Sequence, residues 1–190
     1  MKFSTTTRRA IKITVISIAI IWAVYIFTLI NSFSSIMIDV RMYGIIPRTL
    51  MGLIGIPLSP FIHASLPHII GNTFALAVSM FLVYSLYPRK ADELTFTVII
   101  LGGALVWLAA RSGVHIGASG VIFGYAGFLI VAGFTGRRIV PFLTSIAIVL
   151  FYGGSLLSGL MPSQMVSWEG HLLGAVSGIN YAWFTRKSNS

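Results

Sequence analysis

Apolar residues gather in six long runs, at about 11–30, 66–86, 94–110, 117–134, 139–160 and 168–184, and most charged residues fall in the gaps between them. A helix rising 1.5 Å per residue needs about 20 mostly apolar residues to cross a bilayer. Pro67, Pro88, Pro141 and Pro162 stand at or just outside the ends of runs, where proline is tolerated, and none interrupts a run centrally. The pattern therefore predicts six spanning helices, and a bilayer admits no open sheet in their place.

Composition sharpens this into a class. Of 190 residues, 56% are hydrophobic and 9% charged, and the mean hydropathy is +0.92. Both shares lie well outside the usual range for a soluble domain. Six spans use nearly the whole length, so residues 1–190 are expected to form one transmembrane domain, with a short inner N-terminus (1–10), a short inner tail (185–190) and no separate soluble domain. Lys2, Arg8, Arg9 and Lys12 flank the first run as in a secretory signal, but the run is too long and no small-residue cleavage pattern follows, so it is read as a retained span.

The formal charge of +9 would suggest nucleic acid in a soluble protein. Here the basic residues form clusters between apolar runs, which is a topology signal and excludes a nucleic-acid partner. With the N-terminus inside, Lys2, Arg8, Arg9, Lys12, Arg89, Lys90, Arg137, Arg138, Arg186 and Lys187 are inner, while Arg41, Arg48 and Arg111 are outer. The segment 31–65 becomes a long outer connection, too apolar for a solvated loop and too broken by Gly44, Pro47, Gly52, Gly55, Pro57 and Pro60 to span, so it is expected to lie in the outer interface. With no cysteine present, disulfides, thiolate catalysis and cysteine-ligated metals are excluded.

Spans two, four and six start at the outer side, and their first turns carry the unusual polar residues: His68 and Asn72, Ser119, and His171. Ionisable groups inside spans are costly and usually face a bundle interior or a watery cavity. His68 and Asn72 are four apart, hence on one helical face. Gly120 and Gly124 in span four, and Gly170, Gly174 and Gly178 in span six, have the spacing that lets helix backbones approach closely in lipid. Such an approach would allow Ser119 and His171 to meet, as a serine nucleophile and its general base must. His68, Asn72 and the Ser119 N–H are donors of the kind that stabilise an oxyanion.

Each residue also has a plainer reading. Gly117, Ser119 and Gly120 taken alone are a packing motif, His68 an interfacial anchor and Asn72 an interhelical hydrogen bonder; their shared depth and spacing favour the chemical reading. His63 and His115 read as interfacial or cavity-lining, and Glu169, two before His171, points away from it and is no third catalytic member. Arg41, Arg48 and Arg111 read as headgroup contacts, and Trp22, Trp107, Trp168 and Trp183 as core or interfacial belt. A rival function gathers His63, His68, His115 and His171 around a metal.

These residues together resemble the rhomboid family of intramembrane serine proteases. The resemblance rests on Gly117-Ala118-Ser119-Gly120, His68 with Asn72, and Gly170-His171 followed by Gly174 and Gly178, with Gly44-Ile45-Ile46-Pro47-Arg48 similar to a Gly-x-x-Pro-Arg form found in some members. It implies an all-α membrane protein, a six-transmembrane-helix bundle with a membrane-embedded first outer loop. It further implies a Ser119–His171 dyad, an oxyanion hole of His68, Asn72 and the Ser119 N–H, transmembrane protein substrates within the lipid bilayer, and no metal or organic cofactor. Phe123 stands where many relatives carry a tyrosine, keeping the stacking face without the hydroxyl. An inactive relative that only binds transmembrane helices is the second rival. The expected location is a bacterial inner (plasma) membrane with both termini cytoplasmic; oligomeric state is not legible.

Overall fold

The computed structural model describes residues 3–32, 38–162 and 167–186. Lys2, Lys187 and the extremes of the two tails lie outside the described residues. Helices occupy all six apolar runs: α1 (Thr5–Asn31), α3 (Leu66–Leu86), α4 (Ala91–Thr97) continuing through a π-helical turn (Val98–Gly102) into α5 (Gly103–Ala109), α6 (Ser119–Thr135), α7 (Ile139–Gly159) and α8 (Trp168–Thr185). A short helix α2 (Leu50–Leu58) and two 3-10 turns, Val40–Tyr43 and Ser59–Phe61, lie between α1 and α3. Four helical stretches are long and apolar enough to cross a membrane: α1, α3, Ala91–Ala109 and α7; α6 is apolar but shorter. The chain is thus an all-α integral membrane protein.

Helix α6 is the hub. Nine consecutive residues, Val121 to Leu129, are buried, the mark of a helix enclosed on every side. Its closest neighbour is α8, and glycine makes that approach possible. A Cβ on Gly174 would collide with the Gly120 carbonyl, and one on Gly178 with the Gly124 carbonyl, so the two backbones touch as small residues allow in lipid. On another side, Ser145 of α7 donates to the Leu129 carbonyl at 2.9 Å, and Gly133 leaves room for it.

At the end where α3 stops and α4 starts the bundle is tied by polar side chains. Thr95 Oγ1 lies 2.7 Å from the hydroxyl of the fully buried Tyr125, Tyr181 donates to Glu93 at 2.9 Å, Lys90 donates to the Thr185 carbonyl at 2.6 Å, and Arg9 pairs with Asp92.

The outer connection folds instead of trailing. Gly52 and Gly55 of α2 pack directly on the backbone of residues 44–46, where a Cβ would collide. Arg48, at φ 60°, bonds within the protein: its Nη1 donates to the Leu108 and Ala110 carbonyls at 3.1 and 2.8 Å, satisfying groups that the end of α5 leaves unpaired. Trp107 Nε1 answers by donating to the Thr49 carbonyl at 2.8 Å. Arg41 and Arg111 also find protein partners, Asp39 at 2.9 Å and Glu169 at 3.2 Å. The guanidinium of Arg41 holds the Asp39 carboxyl below its ordinary range.

Candidate active site

The site is assembled from three helix starts. Ser65 caps α3 by accepting the His68 N–H at 3.4 Å, with Pro67 in the first turn; this sets His68 and, one turn on, Asn72 at the helix entrance. Helix α6 begins at Ser119 with no side-chain cap, so its first N–H groups stay available and carry the positive end of the helix dipole. Gly117, at φ +112°, turns the chain into α6 through a conformation that glycine adopts at least cost.

Gly117 also brings two groups together. A Cβ there would stand 2.7 Å from His68 Nε2 and Cε1 and 3.4 Å from Asn72 Nδ2, so both side chains abut the backbone two residues before Ser119. The Asn72 amide nitrogen is buried and, among the described residues, has no hydrogen-bond partner. Such a group is costly unless something fills the vacant valence. The segment is pinned by two further bonds: the Gly117 N–H donates to the Ser59 carbonyl at 2.9 Å, and the Ala118 N–H to His63 Nε2 at 3.4 Å. Burial, with the His68 imidazole beside it, pushes His63 down to about 4, keeping the ring neutral and Nε2 free to accept. His63 is therefore a backbone support; its ring lies 5.0 Å from that of His68.

His171 occupies the first turn of α8. Its ring lies flat on Phe123 of α6, centroids 4.3 Å apart and planes within 7°. Its Nδ1 lies 2.7 Å from the Gly159 carbonyl at the end of α7. A carbonyl only accepts, so Nδ1 carries the hydrogen and, in the neutral ring, Nε2 is left with a bare lone pair. Ser119 and His171 thus start adjacent helices that touch at Gly120 and Gly174; among the described residues no hydrogen bond joins their side chains in this conformation.

A cavity of about 50 Å³ lies beside Ser119, also bounded by Ile45, Val98, Gly102, Gly170 and Gly174, large enough for a few water molecules. The π-helical turn and the outer connection form its far wall. No group of three or more His, Cys, Asp or Glu able to hold a metal occurs among the described residues. The contact of His63 with the Ala118 N–H is not legible in the sequence, which shows spacing along a helix but not which loop crosses it.

Residues 47–188 match the family model described as "Rhomboid domain". An uncharacterized protein of Mycobacterium tuberculosis strain H37Rv is 37% identical over 169 residues, covering 84% of this chain and 69% of the relative. An uncharacterized protein of Mycobacterium leprae is 38% identical over 139 residues, covering 68% of this chain and 55% of the relative.

Proposed function

The chain belongs to the rhomboid family of intramembrane proteases, and we propose that it is an active serine endopeptidase that cleaves transmembrane protein substrates with a Ser119–His171 dyad. The observation that carries this is the His171 ring: Nδ1 is engaged by the Gly159 carbonyl and Phe123 fixes its plane. Nε2 is thereby the nitrogen left to take the Ser119 proton.

In this mechanism a rotation of the Ser119 side chain brings Oγ to His171 Nε2. As Oγ attacks the scissile carbonyl, its proton passes to Nε2, and the tetrahedral oxyanion is received by the Asn72 amide, the His68 ring and the Ser119 N–H. The imidazolium then gives the proton to the leaving amine. A water molecule deprotonated by the same Nε2 attacks the acyl-enzyme, and the second tetrahedral intermediate collapses to the carboxylic product as Nε2 returns that proton to the departing Ser119 Oγ. The unpartnered Asn72 nitrogen fits a donor whose acceptor is present only during reaction.

All six helices span in this reading, α6 and α8 being short because their outer ends open into the cavity; α2 and its turns lie in the outer interface. The mycobacterial relatives and the inner cluster of basic residues favour a bacterial inner membrane with both termini cytoplasmic. The amide to be cut must leave its helix before Ser119 can reach it, so substrates with Gly or Pro near the outer boundary are preferred.

A fluorophosphonate probe tests the assignment. It is expected to label the wild type and not Ser119→Ala, and His68→Ala or Asn72→Ala should each lower the turnover of a model transmembrane substrate by roughly a hundredfold to a thousandfold. Folded wild type that takes no label would instead indicate a helix-binding member without chemistry.

A further inference from the structure

His115 sits in the connection between α5 and α6, buried, with backbone and ring both engaged. Its N–H and C=O exchange hydrogen bonds with Ile45 of the outer connection, at 2.9 and 3.0 Å. Its ring Nε2 lies 3.1 Å from the Arg111 carbonyl and its Nδ1 2.6 Å from Ser167 Oγ. The carbonyl requires a hydrogen on Nε2, so in the neutral ring Nδ1 accepts and the Ser167 hydroxyl donates.

Ser167 is the N-cap residue of α8, yet it makes no side-chain capping bond. Serine at that position ordinarily accepts an N–H from the first turn; here its hydroxyl is turned to His115 instead. Its carbonyl accepts the His171 N–H at 3.2 Å. One residue pair on, Arg111 Nε meets Glu169 Oε1 at 3.2 Å, with the Glu169 side chain nearly buried. Two side chains of segment 111–115 thus hold the first turn of α8 at Ser167 and Glu169, immediately before His171.

We propose that His115, acting through Ser167, and Arg111, acting through Glu169, are positioning residues that fix the start of α8 and thereby aim the His171 ring at Ser119. The proposal rests on the dyad reading above. A helix start without its own cap is free to fray, and α8 has exchanged that cap for an anchor on the connection that leads into α6. The anchor is shared with the outer connection through Ile45, so the wall of the cavity and the base of the dyad are set by one residue. Proton transfer needs heavy atoms within about 2.6–3.2 Å, and a displacement of about 1 Å costs on the order of a hundredfold in rate.

The test is kinetic, on purified full-length protein cleaving a model transmembrane substrate. Ser167→Ala and His115→Leu are expected each to lower kcat by about 10- to 100-fold with KM within about twofold, and the double variant to be no slower than the worse single one, as for partners in one bond. Ser167→Thr, which keeps the hydroxyl, should restore kcat, and Glu169→Gln should lower kcat without raising KM. Should His115→Leu fail to fold, Ser167→Ala and Glu169→Gln carry the test, because both leave the Ile45 pairing intact. Unchanged kcat in those two, a loss confined to KM, or additive losses in the double variant would overturn the proposal while leaving the protease reading in place. A wild type that neither cleaves nor takes a fluorophosphonate label takes both down.

Discussion

Phe123 shows what a single residue contributes here. It offers a face to the His171 ring at 4.3 Å and nothing polar, so what the pair needs from this position is a flat apolar surface. Stacked aromatic pairs contribute about 0.5–1.5 kcal/mol beyond area burial. Phe123→Ala should release the ring and lower kcat by about 2- to 13-fold, the range to which that energy converts, whereas Phe123→Tyr should stay within about twofold; substrate cleavage assays separate the two. Gly117 is less tolerant. At φ +112° and with His68 where a Cβ would be, Gly117→Ala should abolish labelling of Ser119 even where the protein still folds. The proposed site residues, Ser119, His171, His68 and Asn72, can be singled out in the sequence because polar groups stand out in an apolar run. Their neighbours cannot be: Ser59 and His63 bond the segment before Ser119 and His115 contacts Ser167, all across loop crossings, and no periodicity in the chain reports a crossing.

At the scale of elements, apolar run length and proline placement were enough to locate the helices. The apolar run over residues 66–86 predicts a span, and α3 covers the same residues, because Pro67 and Pro88 bracket them. The π-helical turn at Val98–Gly102 left no mark, since one extra residue in a turn leaves a continuous apolar run unchanged. It has a structural reason in Gly102 and Gly103, which face Ser177 and Ile56 at distances that leave a Cβ little room; a shift of register there lets two glycines face two neighbours. Helix α2 was hidden for a related reason. Its glycines read as breakers, yet Gly52 and Gly55 are the surface on which the preceding backbone lies. The α6–α8 seam makes the sharpest prediction at this scale. Gly174→Val inserts three carbons where even one would meet the Gly120 carbonyl, and overpacking of this kind costs about 1–3 kcal/mol or more. Thermal unfolding in detergent should show the loss, and Ser119 labelling should disappear at temperatures where the variant is still folded, because the seam sets the separation of Ser119 and His171.

Across the whole molecule, charge and chemistry divide along the membrane normal. On the proposed orientation the inner end holds eight of the eleven basic side chains among the described residues, together with the Thr95–Tyr125, Glu93–Tyr181 and Lys90–Thr185 ties, while the outer end holds the helix starts that carry Ser119, His171 and His68. By the positive-inside tendency this charge distribution supports the proposed orientation, and orientation would decide which end of a substrate helix meets Ser119. The absence of cysteine makes this directly measurable, because any introduced thiol is the sole one. Ser112, in the connection between α5 and α6, and Arg89, between α3 and α4, are both exposed. A membrane-impermeant maleimide should label Ser112→Cys in intact cells and Arg89→Cys only after permeabilisation. The opposite pattern would put the catalytic cavity at the inner face and require substrates to be cut on the cytoplasmic side, in conflict with the charge distribution; equal labelling of both in intact cells would mean that the α4–α5 stretch does not cross.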